Sequence, residues 1–314
     1  MSRVKKKIYA IINPVSGTKS KKEVPDMLAS IDAHKYDVHL LITGYEGHAT
    51  QIALDAVKEN VDCVIAVGGD GTVNEVAKVL IDTNVVLGII PSGSGNGLAR
   101  DLNIPLNLKK AVEIIKEGVV SQIDYGVANG HIFFCTCGVG FDALVSEKAL
   151  NQSSRGKLMY AKSMLDVYVN FKPERYKITT PDGNFDDKSF LVTCANASQY
   201  GYNGFIAPDA NMQDGKMNIA ILKSVLPMNI PQTALQLVSK NIGNNSNLVE
   251  IITSEALIER ESDGVMHLDG NAIQTDKNIS VKIVKQGLKV LVPREIEKPA
   301  FDAQSFLTNI TRWI

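Results

Sequence analysis

Over the whole chain, charge of neither sign is in excess. The 314 residues carry 33 Lys and Arg against 34 Asp and Glu, a formal net charge of −1. A nucleic-acid-binding face needs a basic surplus, and the balance supplies none. Long apolar runs are missing too: no stretch approaches the roughly 20 residues of a membrane-spanning helix. The opening "MSRVKKKIYAIINPVSG" starts basic and turns apolar, as a secretory leader does. Its apolar run is short, however, ends at Asn13-Pro14, and no small-residue cleavage site follows. The expectation is a soluble, cytoplasmic protein, with transient membrane contact left open. Cysteine is scarce. Of Cys63, Cys135, Cys137 and Cys194, three lie in apolar runs, where a thiol acts as a small hydrophobe. The Cys135-x-Cys137 pair lacks zinc spacing and a second pair to match it. Internal repeats and low-complexity segments are absent. What is abundant is apolar content, 45%, enough for a substantial core, and the length favours two domains.

The first part of the chain alternates. Short apolar runs at Ile8–Ile12, "DVHLLIT", "CVIAV" and "VVLGIIP" are separated by helix-like stretches such as "HATQIALDAVKE", "TVNEVAKVLI" and "NLKKAVEIIKEG". Near-continuous apolar strands alternating with helices predict a parallel sheet covered on both faces. After Asp124 the pattern changes. "HIFFCTCGVGF", "RYKITT", "SFLVTCANAS", "MNIAIL", "LVEIITSEALIE", "VMHLDG", "NISVKIV" and "LKVLVP" read as strands between Asp-Gly, Asn-Gly and other turn signals. Two helical stretches interrupt them, near "GKLMYAKSMLDVYVNF" and "PQTALQLVSKNI". The expected architecture is an α/β nucleotide-binding domain over residues 1–126 and a β-sandwich-like domain over 127–293. The tail from 294 to 314 looks helical and is expected to pack back on the first domain.

In an open parallel sheet, ligands bind at the carboxyl ends of the strands. Three loops should emerge there: Asn13–Gly17, Gly68–Thr72 and Ser92–Gly97. Each holds glycine or a small hydroxyl residue, and two run into helices. Unpaired N–H groups at a helix start suit phosphate, and glycine lets the backbone come close. A nucleotide phosphate cradle is the predicted use. The aspartate inside "AVGGDGTVNEV", Asp70, would repel a phosphate unless a magnesium ion lies between them or it takes a proton from an attacking hydroxyl. The plainer alternative is a turn or N-cap aspartate. Standard nucleotide motifs do not fit. A G-x-x-x-x-G-K-[ST] run is absent, and "GSGNG" lacks full G-x-G-x-x-G spacing.

In combination, "NPVSG", "GGDGTVNEV" and "PSGSGNGLARDL", in this order and spacing, resemble the diacylglycerol kinase catalytic-domain family, which includes bacterial lipid kinases and sphingosine and ceramide kinases. "QIDYG", "APDANMQDGKMNIAIL" and "HLDGN" extend the resemblance over nearly the whole chain. It implies ATP-dependent, Mg2+-assisted phosphoryl transfer to a lipid hydroxyl at a membrane surface. By resemblance, Asn13, Ser16, Gly17, Gly69, Gly71 and Thr72 help bind nucleotide. So do Ser94, Gly95 and Asn96 in the second glycine loop, and Thr43, Gly47 and His48 in a further segment. Asp70 matches the base or magnesium-linked carboxylate, Asp124 a member of the magnesium–water network, and Asp214 an aspartate that binds a structural magnesium in some bacterial members.

Two departures from the family pattern stand out. Gly97 occupies a place where some bacterial members carry aspartate, so any magnesium network has one carboxylate fewer. Asn271, in Asp269-Gly270-Asn271, stands where the family often has a glutamate proposed as catalytic base, and neutral asparagine cannot take the proton in that way. This moves the base role toward Asp70 or implies a weakened enzyme. Other residues have two readings each. His48 either contacts nucleotide or is a solvated loop histidine. Lys19, Lys21 and Lys22 either attract anions or form a solvated face, and Arg100 either supports the second glycine loop or makes a surface ion pair. Leu158, Ala161, Leu165 and Tyr168 line a helix face that meets either lipid or the core. Two other functions compete. One is an NAD kinase-like enzyme, which would share the Gly-Gly-Asp-Gly-Thr loop but not "NPVSG". The other is a non-catalytic nucleotide- or lipid-binding regulator. The lipid and the oligomeric state, monomer or homodimer, are not specified by these motifs.

Overall fold

A computed structural model describes residues 5–17, 23–29, 31–150 and 157–294, with side chains at 157–161 outside the description. The first part alternates as the pattern predicts: β1 (Lys6–Ile12), α1 (Val24–Ala29), β2 (Tyr36–Ile42), α2 (His48–Lys58), β3 (Cys63–Gly68), α3 (Asp70–Leu80), β4 (Val86–Pro91), α4 (Gly97–Asp101) and α5 (Leu108–Glu117). The strands run parallel in the order β2-β1-β3-β4. Every residue of β3 is buried, as expected of a strand covered on both faces. Val73, Val76, Ala77 and Leu80 form the buried stripe of α3 at helical spacing. Helices α2 and α3 pack side by side, as do α1 and α5.

The second part contains β5 (Val119–Ala128), β6 (His131–Phe133), β7 (Thr136–Gly140), α6 (Phe141–Leu150), α7 (Lys157–Tyr168), β8 (Glu174–Thr180), β9 (Gly183–Ser189), β10 (Leu191–Ala195), β11 (Met217–Leu222), α8 (Ile230–Val238), β12 (Leu248–Thr253), β13 (Glu255–Arg260), β14 (Gly264–Leu268), β15 (Asn271–Thr275) and β16 (Asn278–Val292). An antiparallel sheet runs β12-β11-β10-β7-β14-β15. It faces the continuation of the first sheet, which passes from β4 to β16, β13, β8 and β9. Val139, Val192, Ile219 and Met266 from one layer and Tyr176, Ile178, Ile258 and Val281 from the other share one buried core, making a sandwich.

The expected division at 126/127 falls inside β5, and β16 spans both parts. Its Val281 pairs with Ala256 of β13, and its Val290 lies beside Leu87 of β4. Three segments differ from the sequence reading. "LVEIITSEALIE" is two strands, with β12 and β13 in different sheets and Ser254 at the corner. "NISVKIV" and "LKVLVP" are one strand, broken by a bulge rather than a turn. There Gln286 has φ 54° and the register with β5 slips between Val284 and Leu288. "FDALVSEKAL" is the helix α6, whose polar and apolar residues follow no clear face. The tail expected to pack back lies beyond the described residues from 295 onward. Among the described residues, no helix is long and apolar enough to cross a membrane.

Candidate active site

The four parallel strands end on one edge. Thr43 N–H donates to the Ile12 carbonyl (2.9 Å), Asn13 N–H to Val67 (3.0 Å) and Ser92 N–H to Gly68 (2.8 Å), so the loops leave in line. β1 lies between β2 and β3, so successive connections depart in opposite directions from it, and a crevice forms at such a switch point. The segments 13–17, 43–47, 69–72 and 92–97 all border this edge.

Much of what the glycines do is let these loops touch one another. A Cβ on Gly69 would stand 3.1 Å from Gly93 Cα, and one on Gly93 would stand 2.5 Å from Gly69 Cα. The two glycine loops thus meet backbone to backbone. Gly17, with φ 79°, lies so close to Ser92 that a Cβ would fall 1.4 Å from its carbonyl oxygen. Asn13 Nδ2 donates to Thr72 Oγ1 (3.0 Å), while its Oδ1 accepts from Val15 and Ser16 N–H. Asn96 spends its amide on Gly93, accepting from the N–H (3.0 Å) and donating to the carbonyl (2.7 Å). Gly71 differs: it is exposed and a Cβ there meets nothing within 4 Å. Ser94 is exposed as well, and Ser16 is half-buried. The first-turn amides of α3, including those of Gly71 and Thr72, have no helical acceptor of their own.

His48 opens α2 behind Gly47, whose φ of 84° turns the chain into the helix. Its Nδ1 accepts from Gly44 N–H (2.9 Å), and its ring stacks on Tyr45 at 4.6 Å. Arg100 bonds neutral oxygens: its Nε donates to the Gly95 carbonyl (2.8 Å) and its Nη1 to Asn203 Oδ1 (2.9 Å). It supports the second glycine loop. Lys19, Lys21 and Lys22 lie outside the described residues, as do the side chains of Leu158 and Ala161. Leu165 is 63% exposed, whereas Tyr168 packs on Phe141 and Phe190, so the two do not share one environment.

The acids are placed differently from expectation. Asp70 accepts from Asn96 N–H (2.8 Å) through Oδ2 and from Gly97 N–H (2.6 Å) through Oδ1. It is neither an N-cap nor a free turn carboxylate, since it bonds the first glycine loop to the second. Asp124 is fully buried and accepts from Gly215 N–H (2.6 Å) and Gln286 N–H (2.7 Å). Asp214 is exposed and accepts from Lys216 N–H (2.9 Å). The three acids of the expected magnesium set thus each accept from backbone amides, Asp70 and Asp124 through both oxygens and Asp214 through one. Among the described residues, no group of three or more His, Cys, Asp or Glu side chains could hold a metal ion.

Asp269 is the acid that the candidate set omits. Its carboxylate accepts from Phe134 (2.9 Å), Cys135 (2.7 Å) and Thr136 (3.0 Å) N–H and from Asn74 Nδ2 (3.2 Å). Burial holds this carboxyl above its ordinary range, and the three backbone donors offset only part of that rise. Asn74 belongs to α3, so Asp269 ties the sandwich to the helix that follows "GGDG". Asn271 is exposed and starts β15 just past the left-handed pair Asp269 (φ 51°) and Gly270 (φ 82°). The "VNE" after the glycine loop and the Asp-Gly turn were the two available signals, but nothing in the sequence says that they meet.

Residues 7–128 match the diacylglycerol kinase catalytic domain. Residues 135–292 match the YegS C-terminal NAD kinase beta sandwich-like domain. Diacylglycerol kinase of Bacillus subtilis (strain 168) is 32% identical over 231 residues, 69% of this chain and 74% of that protein. The probable lipid kinase YegS-like of Yersinia pestis (strain Pestoides F) is 27% identical over 280 residues, 86% of this chain and 92% of its own. A crystal structure of a Bacillus anthracis str. Sterne protein assigned as a diacylglycerol kinase superposes with a TM-score of 0.76 at 25% identity, covering 92% of this chain and 96% of that one.

Proposed function

The chain belongs to the diacylglycerol kinase family of lipid kinases, and from that membership we propose that it transfers the γ-phosphate of ATP to a lipid hydroxyl, diacylglycerol first among the candidates. The observation that carries this reading is the pair of glycine loops joined by Asp70 at the carboxyl edge of the sheet, with the open Gly71 beside them. Loop amides and the start of α3 hold the phosphates, and helix N-terminal charge favours them there. Asn13 and Thr72 keep the first loop against α3. Gly47 and His48 shape the neighbouring turn, and Ser16 and Ser94 supply hydroxyls. Asp70 orients the acceptor hydroxyl. In a loose phosphoryl-transfer transition state, positioning and electrostatics supply most of the acceleration. Mg2+ bound with ATP would offset the negative charge of the phosphates, with Asp70 and Asp124 the residues to hold it through water.

The lipid must be met at a surface. Val169 and Met228 are 80% and 81% exposed, with Leu165 and Leu226 beside them in sequence, and the Tyr168 hydroxyl bonds the Val225 carbonyl (2.8 Å) to hold the two segments together. This apolar rim is the proposed face toward a bilayer. The deciding experiment supplies labelled ATP with diacylglycerol, phosphatidylglycerol, a sphingoid base and NAD. Transfer to a lipid is expected. Transfer to NAD alone would overturn the lipid reading, and no transfer would favour a binding regulator. Asp70→Asn should lower lipid turnover about 100-fold or more, within the usual range for a positioned acid–base group; near-normal turnover in a folded variant removes Asp70 from the chemistry.

A further inference from the structure

Between β10 and β11 the chain makes a tight loop. Gln199 and Phe205 bridge across it, Tyr200 N–H donates to the Gly204 carbonyl (3.0 Å) and Gly204 N–H to that of Gly201 (2.9 Å). Three consecutive residues are left-handed: Gly201 (φ 114°), Tyr202 (φ 52°) and Asn203 (φ 64°). For an aromatic residue this backbone is costly, of order 1–3 kcal/mol, and such positions persist only where the surroundings hold them.

The surroundings are α4 and the second glycine loop. Ser198 donates twice to Asp101 Oδ1, from N–H (2.9 Å) and Oγ (2.5 Å), at the end of α4. Asn203 Oδ1 accepts from Arg100, which also holds the Gly95 carbonyl. Between these ties the loop lies on glycine. The Tyr200 carbonyl is 3.4 Å from where a Cβ on Gly97 would stand, and Tyr202 Cε2 is 3.8 Å from that of Gly95. The loop therefore straps down the segment Gly95–Asp101 from the sandwich side.

The strap is itself moored. The Tyr200 hydroxyl lies 3.1 Å from Asp142 Oδ2 and 2.6 Å from Thr193 Oγ1, and its single proton goes to one of the two. Asp142 Oδ2 also accepts from Thr193 (2.7 Å) and lies 3.1 Å from His267 Nε2, while Oδ1 accepts from Ala143 N–H (2.8 Å). Asp142, Thr193 and His267 are 9%, 0% and 1% exposed, and they come from α6, β10 and β14. Polar groups so deeply buried are costly unless hydrogen-bonded, and in these three side chains only His267 Nδ1 lacks a partner. The contacts of Tyr200, Thr193 and His267 converge on Asp142 Oδ2, and the backbone of that tyrosine covers the glycine loop.

We propose that Tyr200 is a positioning residue for phosphoryl transfer: moored by Asp142, Thr193 and His267, it holds the strap that fixes Gly95–Gly97 in the phosphate-binding geometry. This rests on the reading of the glycine loops as an ATP site, so the test has one arm that needs no nucleotide. Tyr200→Phe deletes only the hydroxyl. Hydrogen exchange on the nucleotide-free protein should then quicken tenfold or more at the Asn96, Gly97 and Arg100 amides and stay unchanged in β3. The KM for ATP should rise about tenfold with a smaller change in kcat. Asn203→Gly keeps the left-handed backbone, removes the Arg100 tie at the surface end, and should reproduce both effects in milder form. Unchanged exchange at Asn96–Arg100 in both variants, with only a lowered Tm, would make the cluster a structural mooring and overturn the proposal. Faster exchange with unaltered KM for ATP would also overturn it. If the wild-type protein binds no ATP, the kinase reading fails, and the exchange arm still decides whether Tyr200 fixes the loop.

Discussion

Two glycines in one motif answer to different demands. Gly69 faces another backbone, and a methyl there must displace Gly93 Cα at 3.1 Å. Gly71 faces open space in the first turn of α3. Gly71→Ala should therefore leave stability unchanged or raise it by up to about 1 kcal/mol through helix propensity. If phosphate rests on that amide, the same methyl should weaken ATP binding at least fivefold. Urea unfolding and calorimetric ATP titration read the two effects separately, and a wild-type ATP affinity would place the phosphates elsewhere. Gly69→Ala should lower stability as well as binding. Asp70 shows the same division. The sequence made it a carboxylate in search of a positive partner, and the fold gives it two backbone N–H groups from a loop 26 and 27 residues away.

At the level of elements, the bulge in β16 is held from three sides. Asp124 takes Gln286 N–H, Asp82 N–H donates to the Gly287 carbonyl (2.7 Å), and the Tyr125 ring lies where a side chain on Gly287 would go. The Tyr125 hydroxyl donates to Asp82 (3.0 Å). Burial first, and then the Asp82 carboxylate, push the Tyr125 hydroxyl up to about 12. A folded-state value raised above the ordinary one near 10 means that this bond stabilises fully below about pH 10 and is lost as pH rises toward 12. Alkaline unfolding followed by tyrosinate absorbance, with Tyr125→Phe as reference, should show that late titration. Asp82→Asn should move it back toward the ordinary value. The elements themselves were legible where period and composition agreed: β1, β3 and β4 as apolar runs, and α2, α3 and α5 as amphipathic stretches between glycine or Asn signals. The bulge was not, because "KQG" has the composition of a turn and only the distant Asp124 and Asp82 make it something else. Helix α6 was not, because its polar and apolar residues follow no clear face. Of the site, the loops and their order were readable; the strap over residues 198–204, Asp269 with Asn74, and the Asp142 cluster depend on contacts between segments far apart in sequence.

Across the whole molecule, the two parts share strands and not merely a boundary. β5 and β16 pair along nearly their full length while crossing from sandwich to α/β sheet, and Asp269–Asn74 and Ser198–Asp101 fasten the layers again at the cleft. Thermal unfolding should accordingly be a single transition, with near-ultraviolet dichroism and hydrogen exchange in β3 and in β10 changing together. Two separated transitions would show that the halves hold themselves independently. The arrangement of β16 also bears on how the chain is made. Asn278–Val292 leaves a ribosome long after β4, yet it sits in mid-sheet between β4 and β13. Until it arrives, β4 keeps an unpaired edge and the sandwich lacks an inner strand, so the early part of the nascent chain waits unfinished until β16 has been made.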